Sequence, residues 1–256
     1  MSFAEFTTKQ FNTNFKKTEF VNFSQGEHFI RIISETPVMF NTHFTHMITF
    51  KCLGDDCPVC QNNLKLRMEN PKAQTNQIVG FIPRRQLAYV NVLDRTTVKV
   101  CPNCGNEVKK YNGVFPPSCA KCNAVITTVQ SAPLNKVKVM SKGKEFFDQV
   151  NFYANTIVDE NTETPLGINN FDLSVLITAP KAKPVVGARP DRNDPITVNE
   201  DDLYDLNRAI ITLNAEEIRD VLRGTSIRDI FASRKEMKTQ DASPEVLNQM
   251  TNMFEA

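Results

Sequence analysis

Seven cysteines and three histidines hold the metal-ligating chemistry of this 256-residue chain, and their spacing sorts them into groups. Cys101 and Cys104 close a CPNC pair, Cys119 and Cys122 a CAKC pair, and fourteen residues separate the two. Each CxxC knuckle lets two thiolates grip one ion while backbone N–H groups face the sulfurs. Together the four match a tetrahedral Zn²⁺ site of the zinc-ribbon kind. Two redox pairs are the other chemistry open to CxxC, but they need the strand-to-helix setting that lowers a thiol pKa. Here Gly105 follows the first pair and Pro117 precedes the second. Four protein ligands leave no open position, which points to a structural ion.

Cys52, Cys57 and Cys60, in CLGDDCPVC, offer three ligands of a second site that must import its fourth. The histidines are His28, His43 and His46. In a single extended strand His46 shares a face with Cys52, whereas His43 needs a turn around Thr45 to Met47 to return. Strand parity alone favours His46. The plainer alternative makes Cys52 a small buried hydrophobe and leaves only Cys57 and Cys60 to act. His28 reads as a core or surface residue.

The elements that would position these ligands are mostly short strands. Glu27 to Thr49 is rich in β-branched and aromatic residues with a break at Thr36 and Pro37, which predicts two or three strands. Gln61 to Asn70 reads as a short helix, Gln77 to Asp94 as two strands divided around Pro83, and Asn169 to Thr178 as a further strand. Ala179 to Pro195, with four prolines, reads as a loop or extended arm. Asn199 is expected to cap a helix through about Leu206 to Ile211, Asn214 another, and Thr225 to start a third; Ser243 to Ala256 reads as an amphipathic helix. Strands without long crossover helices over residues 25 to 178 favour a small barrel or sandwich over a βαβ arrangement.

Hydrophobic residues make up 41% and charged residues 23%, ordinary for a globular chain. No stretch approaches the roughly 18 apolar residues of a membrane span, and the amino terminus lacks an apolar export core. GxGxxG, the P-loop and HExxH are all missing, so no catalytic role is expected. The net charge of +1 conceals an asymmetry: lysines and arginines number 14 against 5 acidic residues over 61 to 155, and 11 against 18 over 156 to 256.

A basic middle suits a polyanion. Aromatic rings interleave with it, and bases of a single strand stack on such rings while cations follow the phosphates. The candidate contacts are Lys65, Arg67, Arg84, Arg85, Lys109, Lys110, Tyr111, Lys136, Lys138, Lys142 and Lys144. Alternation puts Arg85, Leu87 and Tyr89 on one strand face, which makes Tyr89 the leading stacking ring.

The runs HFIRII, PVMFNTHF, CLGDDCPVC and RRQLAYVNVLD together resemble the single-stranded DNA-binding proteins of tailed bacteriophages, the helix-destabilising, zinc-containing type. The resemblance covers roughly residues 20 to 100 and 130 to 178. It implies a mainly β chain with an OB-fold-like core over 21–180, into which the zinc ribbon read from the two CxxC pairs, 100–128, would be inserted. An N-terminal arm would span 1–20, and a basic loop with C-terminal helices 181–256. It also implies His43 rather than His46 as the fourth ligand of one Zn²⁺, which with the ion read for the CPNC and CAKC pairs makes two per chain, and Arg84, Arg85, Tyr89 and Asn91 on the binding strand. The function implied is sequence-independent binding of ssDNA in phage DNA replication or recombination, in the cytoplasm of the infected host. The ribbon departs from that pattern, and the strongly acidic tail of some relatives is missing. Zinc ribbons dock proteins as readily as they touch DNA, which leaves a second expectation. On that one, the chain is a zinc-ribbon transcription or replication factor that docks on a polymerase and meets nucleic acid only within that assembly.

Overall fold

A computed structural model describes residues 18–45, 48–111, 113–159, 162–180 and 182–240. His46, most of the expected N-terminal arm and the expected helix from Ser243 lie outside them. In chain order the elements are β1 (Gly26–Ile32), β2 (Val38–Thr45), β3 (Ile48–Lys51), α1 (Pro58–Glu69), β4 (Arg85–Asp94), β5 (Thr97–Val100) and β6 (Gln130–Pro133). There follow β7 (Lys136–Lys142), α2 (Lys144–Thr156), β8 (Asp172–Ile177), β9 (Val185–Arg189), α3 (Ala215–Leu222) and α4 (Ile227–Gln240). No helix among the described residues is long and apolar enough to cross a membrane.

The chain divides into two compact units, each built from separate stretches: Met1–Phe40 with Gln86–Ala209, and Asn41–Arg85 with Ile210–Ala256. In the first, antiparallel strands pair in the order β7-β4-β1-β8-β9, with Ile30 opposite Asp94, His28 opposite Val175, Val90 opposite Met140 and Val175 opposite Val186. Ile30, Ile32, Val90, Val92, Leu173 and Val175 point into one core with Phe146 and Val150 of α2. The expected OB-fold barrel is not formed. Among the described strands no pairing closes the sheet on itself, so the fold is a mixed α/β arrangement with an open sheet and a helical C-terminal region. The physical reason lies in that core. A sheet that covers its apolar face with a helix has no need to curl round and bury it against itself.

Three local expectations also change. The stretch expected as a loop or extended arm contains β9, whose flanking Pro184 and Pro190 confine it to five residues at a sheet edge. Asn199 opens only a short 3-10 turn, Glu200–Asp202, and a second follows at Leu206–Arg208. Residues 78 to 84 form no strand, so a single strand starts at Arg85.

The second unit packs Phe50, Val59, Leu213, Ile218, Val221 and Ile230 around Cys52 and Cys57. Asn214 caps α3 in a reciprocal box: its side chain accepts the Glu217 N–H at 2.9 Å, and Glu217 accepts the Asn214 N–H at 2.7 Å. Arg234 of α4 donates to the same Glu217 and to the Thr212 carbonyl at 3.0 Å. The Arg234 hydrogen bond holds the Glu217 carboxyl below its ordinary value of 4.5. A carboxyl depressed by folding stabilises fully above its unfolded pKa, and that support is lost as pH falls through the folded value. Glu217→Gln is therefore expected to lower the urea stability of this unit by roughly 1 kcal/mol at pH 7, discounted because the guanidinium is partly exposed. The gap between variant and wild type should narrow as the pH falls below 4.5, the carboxyl's ordinary value. A gap that persists there would mean the cap geometry, not the charge, carries the effect.

Candidate metal centres

The first cluster assembles from the β2–β3 hairpin and the start of α1. Thr45 pairs with Ile48 and His43 with Phe50, so the chain reverses after Thr45. The Cys52 N–H bonds the Asn41 carbonyl at 2.8 Å, which sets Cys52 two positions from His43 on the neighbouring strand, on the same face. Gly54, at φ 72°, turns the backbone through a left-handed conformation, and Cys57 then caps α1 with Pro58 in its first turn. That places Cys60 one helical turn on. The ligand atoms of His43, Cys52, Cys57 and Cys60 all lie within 4.8 Å of one another, and His43 is 0% exposed. Cys52 Sγ stands 3.6 Å from Cys60 Sγ, which in turn is 3.4 Å from His43 Nε2.

Electrostatics in this cluster call for a cation. Burial raises the Cys57 thiol, but the His43 hydrogen bond and the N–H groups of Cys60 and Leu53 outweigh it and bring the pKa down to about 6. Burial, the Cys52 hydrogen bond and the charges of its neighbours push Cys60 up to about 12. Thiols this close cannot all ionise alone, whereas a divalent ion among them removes the repulsion.

The second cluster sits on a stem, where Thr97 opposes Pro133 and Val100 opposes Gln130 in β5 and β6. Each knuckle is a tight turn: Gly105 N–H to Cys101 O at 2.9 Å in one, Asn123 N–H to Cys119 O at 2.9 Å in the other. Asn123 takes φ 56° and Gly105 φ 68°, the positive values that such reversals require. The sulfurs of Cys101, Cys104, Cys119 and Cys122 lie within 4.8 Å of one another, with Cys101 3.8 Å from Cys122 and Cys104 3.6 Å from Cys119. The Ala124 N–H and the Asn103 side chain draw the Cys122 pKa down to about 6. Each of the two clusters could hold one metal ion.

The expected nucleic-acid contacts are not gathered in the same way. Tyr89, expected to offer a stacking face, is 3% exposed, with Phe40 and Phe20 meeting it edge-on at 5.4 and 6.4 Å. Asn91 is buried and clamps the backbone of Tyr204, donating to its carbonyl and accepting its N–H, each at 3.0 Å. Both follow from β4 being buried on its two faces from Ala88 onward. Lys136 pairs with Glu19 and Lys138 with Asp94, each at 2.7 Å, and Lys144 pairs with Asp148 at 2.6 Å. Lys142 lies 4.6 Å from the Phe23 ring centroid, and burial lowers its pKa. Lys65, Arg67, Arg84 and Arg85 are exposed in one unit, and Lys109, Lys110 and Tyr111 in the ribbon of the other.

Sequence reasoning passed over two exposed ribbon residues, Val114 and Val125. For Val114 the available signal was the turn-forming Asn-Gly pair that precedes it in the sequence.

No protein-family model matches the chain, and no curated protein matches it either. The resemblance to phage ssDNA-binding proteins therefore rests on the cysteine turn and strand runs alone. The open sheet overturns the fold that it implied, and with it the function inferred from that fold.

Proposed function

We propose that this chain is a zinc-ribbon docking factor of a transcription or replication assembly, which meets nucleic acid only within that assembly. The observation that carries it is the ribbon itself. A four-cysteine cluster stiffens an exposed hairpin on a two-stranded stem, and a site closed by four thiolates does no chemistry of its own. Presenting a rigid surface is what such a hairpin can do. Zn²⁺ is the ion proposed for both clusters. A tetrahedral ion with bonds of about 2.3 Å spaces its sulfurs about 3.8 Å apart, and sulfur with imidazole suits zinc best among common divalent ions. The sulfur separations of 3.6, 3.8 and 3.6 Å fit that spacing. The role requires no catalytic residue.

Titration of the purified, metal-loaded chain with a labelled mixed-sequence single strand tests the reading. Binding is expected no tighter than the roughly 10⁻⁴ to 10⁻⁶ M of generic phosphate attraction at physiological salt. In extracts of its source cells the chain should co-sediment with a polymerase. That association should vanish when Cys101 to Val129 is replaced by an Asn-Gly turn joining Val100 to Gln130. Nanomolar binding of the bare oligonucleotide, or co-sedimentation that survives the deletion, would overturn it.

A further inference from the structure

The ribbon carries more apolar surface than its metal and small core use. Val108, Phe115, Ile126 and Val129 pack around the cysteines. Tyr111, Val114 and Val125 do not, and stand 80%, 70% and 76% exposed. At the tip, the Tyr111 N–H bonds Val114 O at 2.8 Å and the Val114 N–H bonds Tyr111 O at 3.1 Å. Residues that exchange both hydrogen bonds lie directly opposite with their side chains on one face, so ring and isopropyl group stand side by side. Gly113, at φ 82°, makes the reversal and adds no side chain to shield them. From Cys101 to Val129 the ribbon carries three lysines, Lys109, Lys110 and Lys121, against a single acidic residue, Glu107, and Lys109 and Lys110 directly precede Tyr111.

We propose that Tyr111 and Val114 form a docking knob for an apolar pocket with an acidic rim on a protein partner; this rests on the assembly-docking reading above. The chemistry selects protein over nucleic acid. Valines at the tip and at the second knuckle offer nothing to a phosphate or a base edge, whereas a protein pocket gains from covering them. Lysines are few, and Lys110 already lies 5.1 Å from the Phe115 ring centroid, so a phosphate chain has little to follow. A tyrosine anchor in a pocket with charges at its rim is the usual anatomy of a protein interface.

The test places a photoreactive benzoyl-phenylalanine at position 111 of the full chain in its source cells. A crosslink to a polypeptide is expected, mapping to an apolar site flanked by aspartate or glutamate. The crosslinked protein, once purified, is titrated with the wild-type chain and with variants whose metal content is checked. Tyr111→Ala and Val114→Glu should each weaken binding about 10- to 100-fold at unchanged metal content. Lys109→Glu should chiefly slow association and flatten its salt dependence. Crosslinks to nucleic acid, no crosslink at all, or tip variants within about twofold of wild type would overturn the knob. If the ribbon deletion frees the chain from its assembly while the tip variants do not, the docking role stands and the knob falls. If the deletion changes nothing, both fall.

Discussion

Removing the metal from the His43 cluster is expected to unfold the unit built around it. Cys52 and Cys57 are part of the buried core of that unit, packed with Phe50, Val59, Leu213 and Ile218, so their sulfurs cannot be left charged and unpaired. Structural zinc sites supply an apparent 10–16 kcal/mol at neutral pH, about as much as the roughly 5–15 kcal/mol that holds a whole domain together. Chelation under reducing conditions should therefore abolish one thermal transition and the helical signal of α1, α3 and α4. The sheet of the other unit should survive, because its core contains none of the ligands. Elemental analysis should return two zinc equivalents for the wild-type chain and one for His43→Ala. An apo protein that melts like the holo protein would sink the assignment of a structural ion, and two equivalents retained in His43→Ala would remove that residue from the ligand set.

The second large effect is expected at Asp172. This carboxylate is 0% exposed and lies among three arginines: Arg31 at 2.8 Å, Arg192 at 3.1 Å and Arg95 at 3.4 Å. Arg31 spends its remaining donors on the Arg192 and Asp194 carbonyls, and Arg95 reaches the Asp194 carboxylate at 2.9 Å. The cluster ties β1, the end of β4, β8 and the strand-to-turn segment after β9 into one piece. Burial pushes the Asp172 carboxyl up, and the arginines only partly draw it back. Removing the carboxylate leaves guanidinium groups that cannot deprotonate, buried and without their central anion. Asp172→Asn keeps the shape and should still lose roughly 3–5 kcal/mol, read from the urea midpoint of the sheet-containing unit. A midpoint unmoved by Asp172→Asn would show the network to be ornamental to folding.

Local chemistry was legible in the sequence and distant pairing was not. Both knuckles could be read because a CxxC turn needs only four consecutive residues to present two sulfurs. The fourth ligand of the other cluster was harder: parity along one strand pointed to His46, and only the reversal after Thr45 returns His43 to the cysteines. Asn214 as a helix cap was visible for the same local reason as the knuckles. Barrel closure depends on whether the last strands meet, a matter of long-range geometry that alternating residues do not encode. Tyr89 shows the limit from another side. Its neighbours in sequence suggest an exposed face, but Phe20 and Phe40 cover it from positions 69 and 49 residues away. Lysines counted as a basic surface turned out in part to be bound, since Glu19 and Asp94 neutralise Lys136 and Lys138.

The interleaving of the two units sets a timetable for the nascent chain. Phe50 and Val59 leave the ribosome about 160 residues ahead of Leu213 and Ile218, a delay on the order of 10–30 s at usual rates of synthesis. For that interval half of a hydrophobic core waits without its other half. All four ligands of the first cluster, however, emerge within residues 43 to 60. Zinc captured then would lock the hairpin to α1 and hold the seat until the C-terminal helices arrive. A cell short of zinc during translation would accordingly lose this protein to aggregation or proteolysis before it was finished, and metal supplied afterwards would come too late to recover those chains.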